Sequence, residues 1–260
     1  MEYEFVKVEK RDHISIVTIN RPEVYNAVHP PLSLELDQVW NEFLEDSEQW
    51  VAVLTGAGDK AFSAGNDLKY SAQSGKYKVQ QPKSGFAGLT NRFDRTKPII
   101  AAVNGFAMGG GMETALSCDI ILASENAKFA LPEVKVGFFA AAGGVQRLSR
   151  QIGKKAALEM ILTGRNVDAQ EALKLGIVND VFSQSELLDK AIEKASVIAG
   201  NCPSSIKYSL EALNHMDQLE EMSSALEKSY ELIDLLRQTE DHKEGVSAFV
   251  EKRAPQWKNK

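Results

Sequence analysis

The chain has 260 residues, 43% of them hydrophobic, 25% charged and 8% aromatic, which is globular composition with material for one large α/β domain or a domain with a smaller appendage. A net charge of −6 argues against non-specific nucleic-acid binding. Two distant cysteines, Cys118 and Cys202, and four scattered histidines leave neither a disulfide framework nor a metal site to build on.

Taken along the chain, the opening Met1-Glu2-Tyr3-Glu4-Phe5-Val6 lacks the basic start and apolar core of a signal peptide. No apolar run reaches the roughly 20 residues that a bilayer span needs. The expectation is a cytoplasmic protein without a membrane part. Residues 13–19 are rich in β-branched side chains and stop at the turn signal Asn20-Arg21-Pro22. A helix follows, with Leu36, Val39, Trp40 and Phe43 at the spacing of one helical face. Residues 50–55, 98–103 and 119–123 are short apolar runs without alternation, as expected of parallel strands covered on both faces. Between them, residues 71–92 read as a long excursion dominated at first by Ser, Gly, Gln, Lys and Pro. The last third is helical. Pro203 stands at a helix start with Ile206, Leu210 and Leu213 behind it, 217–237 carries Met222, Leu226, Ile233 and Leu236, and 241–251 carries Val246, Phe249 and Val250. The change from α/β to helical sequence near 185–200 marks a boundary, set between 1–195 and 196–260.

Three stretches carry the chemistry: Ala61-Phe62-Ser63-Ala64-Gly65-Asn66-Asp67-Leu68, Asn104-Gly105-Phe106-Ala107-Met108-Gly109-Gly110-Gly111-Met112-Glu113, and the segment from Ala130-Leu131-Pro132-Glu133 to Gly143-Gly144-Val145-Gln146-Arg147. In the second, a strand runs through three glycines into a helix, leaving bare backbone N–H groups that can bind phosphate or stabilise a developing oxyanion. The phosphate reading is weakened because neither GxGxxG nor a Walker-type Gly-Lys-Ser/Thr is present. The same glycines would also serve simple helix–sheet packing. Glu113 lies within the first turn of that helix, where a carboxylate also complements the helix dipole. Glu133 sits in an apolar stretch. Two carboxylates beside an oxyanion site are what proton transfer or water addition next to a carbonyl requires, but spacing does not show that they converge.

Read together, these motifs resemble the crotonase (enoyl-CoA hydratase/isomerase) superfamily nearly end to end. Asn20-Arg21-Pro22 with Asn26-Ala27 resembles its opening signature, Ser63 to Asp67 its first oxyanion loop, Gly109 to Glu113 its second, and Phe129 to Glu133 the segment of its later glutamate. Thr163-Gly164-Arg165, Gly176-Ile177-Val178 and Phe249-Val250-Glu251-Lys252-Arg253 continue the match. The resemblance implies a ββα spiral with a helical C-terminal trimerisation region, as a homotrimer or a hexamer made of two trimers. It implies an acyl-CoA substrate, with coenzyme A as part of the thioester, no separate cofactor, no metal and no nucleic acid. The N–H groups of Asn66 and Gly110 would hold the thioester oxygen. Ala64, Asp67 and Leu68 would line the pantetheine and acyl path, with Gly65, Gly109, Pro132, Phe138 and Ala141 also on the substrate side. Val24 and Ala27 would meet adenine, and Phe249 and Lys252 the nucleotide of a neighbouring subunit.

Glutamates at both matching positions imply a hydratase, with Glu113 activating water and Glu133 protonating the α-carbon. The alternatives are an isomerase, a hydrolase of a 3-hydroxyacyl-CoA, and a non-catalytic scaffold of the same fold. Gly137-Phe138-Phe139-Ala140-Ala141-Ala142 departs from the pattern, which has Pro near 140 and Gly near 141. Gly85 to Thr90 and the ending from Lys252 to Lys258 resemble the branch of carnitinyl-CoA dehydratases, where Phe86, Phe138 and Phe139 could face a trimethylammonium group.

Overall fold

In the computed structural model, which describes residues 3–74, 82–216 and 222–260, the first strands form a hairpin. Strand β1 (Val6–Arg11) is antiparallel to β2 (Ile14–Ile19) and, beyond Val6, presents the exposed charges that keep an edge strand from pairing further. Helix α1 (Pro30–Glu45) then crosses to β3 (Val51–Gly56), which pairs parallel to β2. Three units of strand, short strand and helix follow. They are β3, β4 (Ala61–Ser63) and α2 (Leu68–Ser74); β5 (Ile99–Val103), β6 (Phe106–Met108) and α3 (Gly110–Leu116); and β7 (Ile120–Ser124), β8 (Lys128–Ala130) and α4 (Gly144–Ile152). The chain continues through α5 (Lys154–Thr163), β9 (Val167–Asp168), α6 (Ala169–Leu175) and β10 (Asp180–Phe182).

The first strand of each unit joins a six-stranded sheet of order β1-β2-β3-β5-β7-β10; the second joins a small sheet of order β4-β6-β8-β9. This stepping between two sheets is the ββα spiral. The strands β3 and β5 are buried along their whole length because both faces are covered. Ala52, Leu54, Ala101 and Val103 pack with Leu36, Val39, Trp40 and Phe43 of α1. Their neighbours Val51, Val53, Ile100 and Ala102 pack with Leu187, Ala191 and Ala195 of α7 (Leu187–Ala199). The period-2 alternation thus sorts one apolar run into two cores.

Helix α7 runs unbroken through residues 195 and 196, packed on the large sheet. The remaining helices are α8 (Pro203–Met216), α9 (Met222–Leu236) and α10 (Glu240–Glu251). Pro203 opens α8 as its sequence position suggests. Thr239 caps α10 by accepting from the His242 N–H at 3.0 Å. Buried Asp241 accepts from Ser204 Oγ and from the backbone N–H groups of Lys258 and Asn259, which fastens the chain's end to these helices. Of the excursion expected at 71–92, residues 75–81 lie outside the described residues, as do 217–221 of the helix expected at 217–237.

Candidate active site

Parallel neighbours β4, β6 and β8 end on one edge of the small sheet, with Ser63 opposite Ala107 and Met108 opposite Ala130. The segments that leave them therefore meet, although 20 to 45 residues separate them in sequence. After β4 comes the loop Ala64-Gly65-Asn66-Asp67, and after β6 the glycines that begin α3. After β8 comes the turn Pro132–Val136, and the chain returns through residues 138–143 to α4.

Glycine makes the first approach possible. At Gly65, where φ is +82°, an added Cβ would stand 2.5 Å from the Met108 carbonyl oxygen and 2.9 Å from the Gly110 nitrogen. A Cβ at Gly111 would stand 2.1 Å from the Ser63 carbonyl oxygen. The loop is tied elsewhere: Ala64 N–H donates to Tyr25 O, Gly65 N–H to Ser63 Oγ, and Asp67 N–H to Val28 O. Among the described residues the N–H groups of Asn66 and Gly110 reach no acceptor, and Gly110 is the first residue of α3, where a helix leaves its donors open. Two unused donors thus stand on adjoining loops.

Glu113, one turn into α3, is only 4% exposed. Its Oε1 accepts from the Gly144 N–H at 2.9 Å, at the start of α4. Burial pushes its pKa from 4.5 up to about 7; the Gly144 bond opposes the rise, the nearby Glu133 carboxylate adds to it, and Ala142 N–H and Arg147 oppose it. Glu133 is half-buried and its Oε2, sealed from solvent, has no hydrogen-bond partner. Burial raises its pKa as well, against its own backbone N–H. A carboxyl with an unpartnered, sealed oxygen is costly as an anion and suits the protonated acid.

Asn66, Gly110, Glu113 and Glu133 open on one cavity of about 260 Å³. Ala64, Leu68, Gly109, Pro132, Phe138 and Ala141, all expected on the substrate side, line it too. Gly65 lies behind the loop as its close-packing residue. Asp67 does not line the cavity. Its carboxylate pairs with Arg21 at 3.0 Å, both side chains nearly buried, and so anchors the loop to the turn Pro22–Val24. Val24 and Ala27 belong to that turn region, beside the loop but outside the cavity. Phe249 and Lys252, at the end of α10, do not reach it within one chain. Val136 and Ala142 line the cavity without having been singled out from the sequence, and the hold of Gly144 on Glu113 was not legible either. The doublet Gly143-Gly144 was its only visible sign: a Cβ at 144 would press on Glu113 at 3.0 Å.

No group of three or more His, Cys, Asp or Glu side chains suited to a metal occurs among the described residues. No helix among them is long and apolar enough to cross a membrane. Two open N–H donors and two pKa-raised carboxyls around one partly apolar cavity make a site that can polarise a carbonyl oxygen and exchange protons beside it. The model of the enoyl-CoA hydratase/isomerase family matches residues 9–260, and the chain belongs to that family. It is 43% identical over 256 residues to a short-chain-enoyl-CoA hydratase of Clostridium acetobutylicum, covering 97% of each chain. It is also 40% identical over 258 residues to a carnitinyl-CoA dehydratase of Proteus mirabilis, covering 96% of this chain and 97% of that one. Among solved structures, an enoyl-CoA hydratase of Mycobacterium tuberculosis superposes with a TM-score of 0.91 at 36% identity, over 98% of this chain and 99% of that one.

Proposed function

We propose that the protein reversibly adds water across the α,β double bond of an enoyl-CoA thioester. The observation that carries this reading is the pair Glu113 and Glu133 on one cavity with the open N–H groups of Asn66 and Gly110. The thioester oxygen accepts from those two N–H groups. Glu113 takes a proton from water as its oxygen bonds to Cβ; the π pair moves toward Cα and negative charge gathers on the thioester oxygen. Glu133 then delivers a proton to Cα, restoring the carbonyl. Dehydration runs the same steps backwards. Loss of one oxyanion donor typically costs about 2.7–4 kcal/mol of barrier.

In this reading Ala64 and Leu68 guide the acyl and pantetheine portions. Val24 and Ala27, one turn away, border the adenine end, and Gly65 and Asp67 hold the loop. Phe249 and Lys252 would act from a neighbouring subunit of a trimer or hexamer, in a cytoplasmic enzyme whose helices beyond residue 195 assemble it. A shift of the double bond by Glu133 alone is the rival chemistry; it would survive Glu113→Gln, whereas hydration would not. The direct test is crotonyl-CoA in ¹⁸O-labelled water. A 3-hydroxyacyl product carrying the heavy oxygen is expected, and recovery of unchanged or merely isomerised thioester would refute the proposal.

A second reading of the acyl group rests on Phe86, Phe138 and Phe139, which line the cavity where the family pattern has Pro and Gly nearby. Aromatic faces attract a quaternary ammonium. The ratio of kcat/KM for crotonobetainyl-CoA and crotonyl-CoA separates the two: a ratio above one favours the cationic substrate, below one the simple short chain.

A further inference from the structure

Arg147 stands behind both walls of the cavity without touching it. It lies on the first turn of α4, half-buried, and its guanidinium meets two carbonyls rather than a carboxylate: Nη2 donates to Thr90 O at 2.6 Å and Nη1 to Ala142 O at 3.3 Å. No ion pair to it occurs among the described residues, and its one further partner is the Phe93 ring, 5.6 Å from the guanidinium carbon to the centroid. Burial and the neighbouring Arg95 hold its pKa below the ordinary arginine value. A partly desolvated cation with no direct ion pair is destabilising in itself, and the opposite charge that acts on it is Glu113.

Both carbonyls lead to the reacting groups. Thr90 Oγ1 accepts from the Phe86 N–H at 2.9 Å, and the Phe86 ring packs so closely on Gly110 that a Cβ there would stand 2.6 Å from it. Ala142 is two residues before Gly144, whose N–H holds Glu113. Gly143, between them, has φ +101°, a backbone conformation that favours glycine, and a Cβ there would displace the Arg147 guanidinium, 2.1 Å away at Nη1. One planar fork therefore ties the segment backing the Gly110 donor to the segment backing Glu113. Its charge also favours the ionised form of Glu113, alone among side chains in opposing Glu133 there.

We infer that Arg147 is a positioning residue for the acid/base step, which clamps the 86–90 and 142–144 segments together and keeps Glu113 available as a base. The inference rests on the hydratase reading above. The charged and titratable groups around the pair are Glu133 on the turn Pro132–Val136, and Arg95, Cys118 and Arg150 around Arg147. The test compares Arg147→Met, which removes charge and fork, with Arg147→Lys, which keeps the charge alone. For Arg147→Met, kcat should fall roughly tenfold and the acid limb of kcat/KM should move up by about half a pH unit. For Arg147→Lys, kcat should fall while the limb stays in place. Isotope-edited infrared titration of Glu113 in the free protein reads the same displacement without turnover, so it decides even if the wild type fails to hydrate crotonyl-CoA and the hydratase reading falls. Arg147→Gln stands in if Arg147→Met does not fold. A folded, charge-free variant with an unmoved Glu113 titration and unchanged kcat, losing only thermal stability, would overturn the inference.

Discussion

In the proposed mechanism Glu113 and Glu133 act as one acid/base system, and because the Glu133 carboxylate acts on Glu113 their titration belongs to the pair. With Glu113 pushed up to about 7 by burial, the acid limb of kcat/KM should bend near neutrality, where the pair must first lose a proton. A pH–rate profile checks this; a limb near 4.5 would mean that Glu113 is not the base. The same burial has a stability consequence of definite sign. The folded protein holds the Glu113 proton more tightly than the unfolded chain, so stability falls as pH rises from 4.5 to about 7 and stays lower above. Glu113→Gln keeps the shape and an acceptor for Gly144. It should therefore be more stable than the wild type at pH 8, by on the order of 3 kcal/mol at most, with the gain vanishing near pH 4.5. Denaturant titration at the two pH values measures it. The glutamates could be singled out from the sequence because they adjoin glycines and an apolar strand. What surrounds them could not. The Gly144 N–H and the cation of Arg147 reach Glu113 through the fold, and nothing in the letters gives their direction.

At the scale of elements, the long strands and helices were legible because each is an apolar run or face of sufficient length. Residues 50–55 and 98–103 are seen in β3 and β5, and the Leu36 to Phe43 face in α1. The three-residue strands β4, β6 and β8 are too short for any periodicity to show. They nevertheless bring the site together, since their parallel register sets Gly65, Gly110 and Glu133 on one sheet edge. The resemblance to a known family pointed to these residues where spacing alone stopped, and the fold brings them to one edge. The glycines of this edge are needed for contact rather than flexibility. Gly111→Ala would place a Cβ 2.1 Å from the Ser63 carbonyl oxygen. It should lower the unfolding free energy by about 3 kcal/mol as the β4 and α3 segments are forced apart. Chemical denaturation checks this, and activity should fall with it because the Asn66 and Gly110 donors separate.

In the whole molecule, the α/β spiral supplies the cavity and the last helices leave apolar side chains unburied. Phe249 is 85% exposed and Tyr230 66%, with Val250, Leu213 and Val246 also exposed. We propose that these exposed apolar side chains are where copies of the chain associate. Sedimentation should give three or six times the chain mass, and the double substitution Tyr230→Asp with Phe249→Asp should shift it toward the single chain; a wild-type monomer would contradict the assembly proposed above. The central claim, that two carboxylates share one hydration step, is tested most directly by steady-state turnover of crotonyl-CoA by the wild type, Glu113→Gln and Glu133→Gln. A positioned acid or base contributes about 10²–10⁴-fold, so each single variant should lose at least two orders of magnitude in kcat while remaining folded. Near wild-type hydration by either folded variant would contradict the two-carboxylate account.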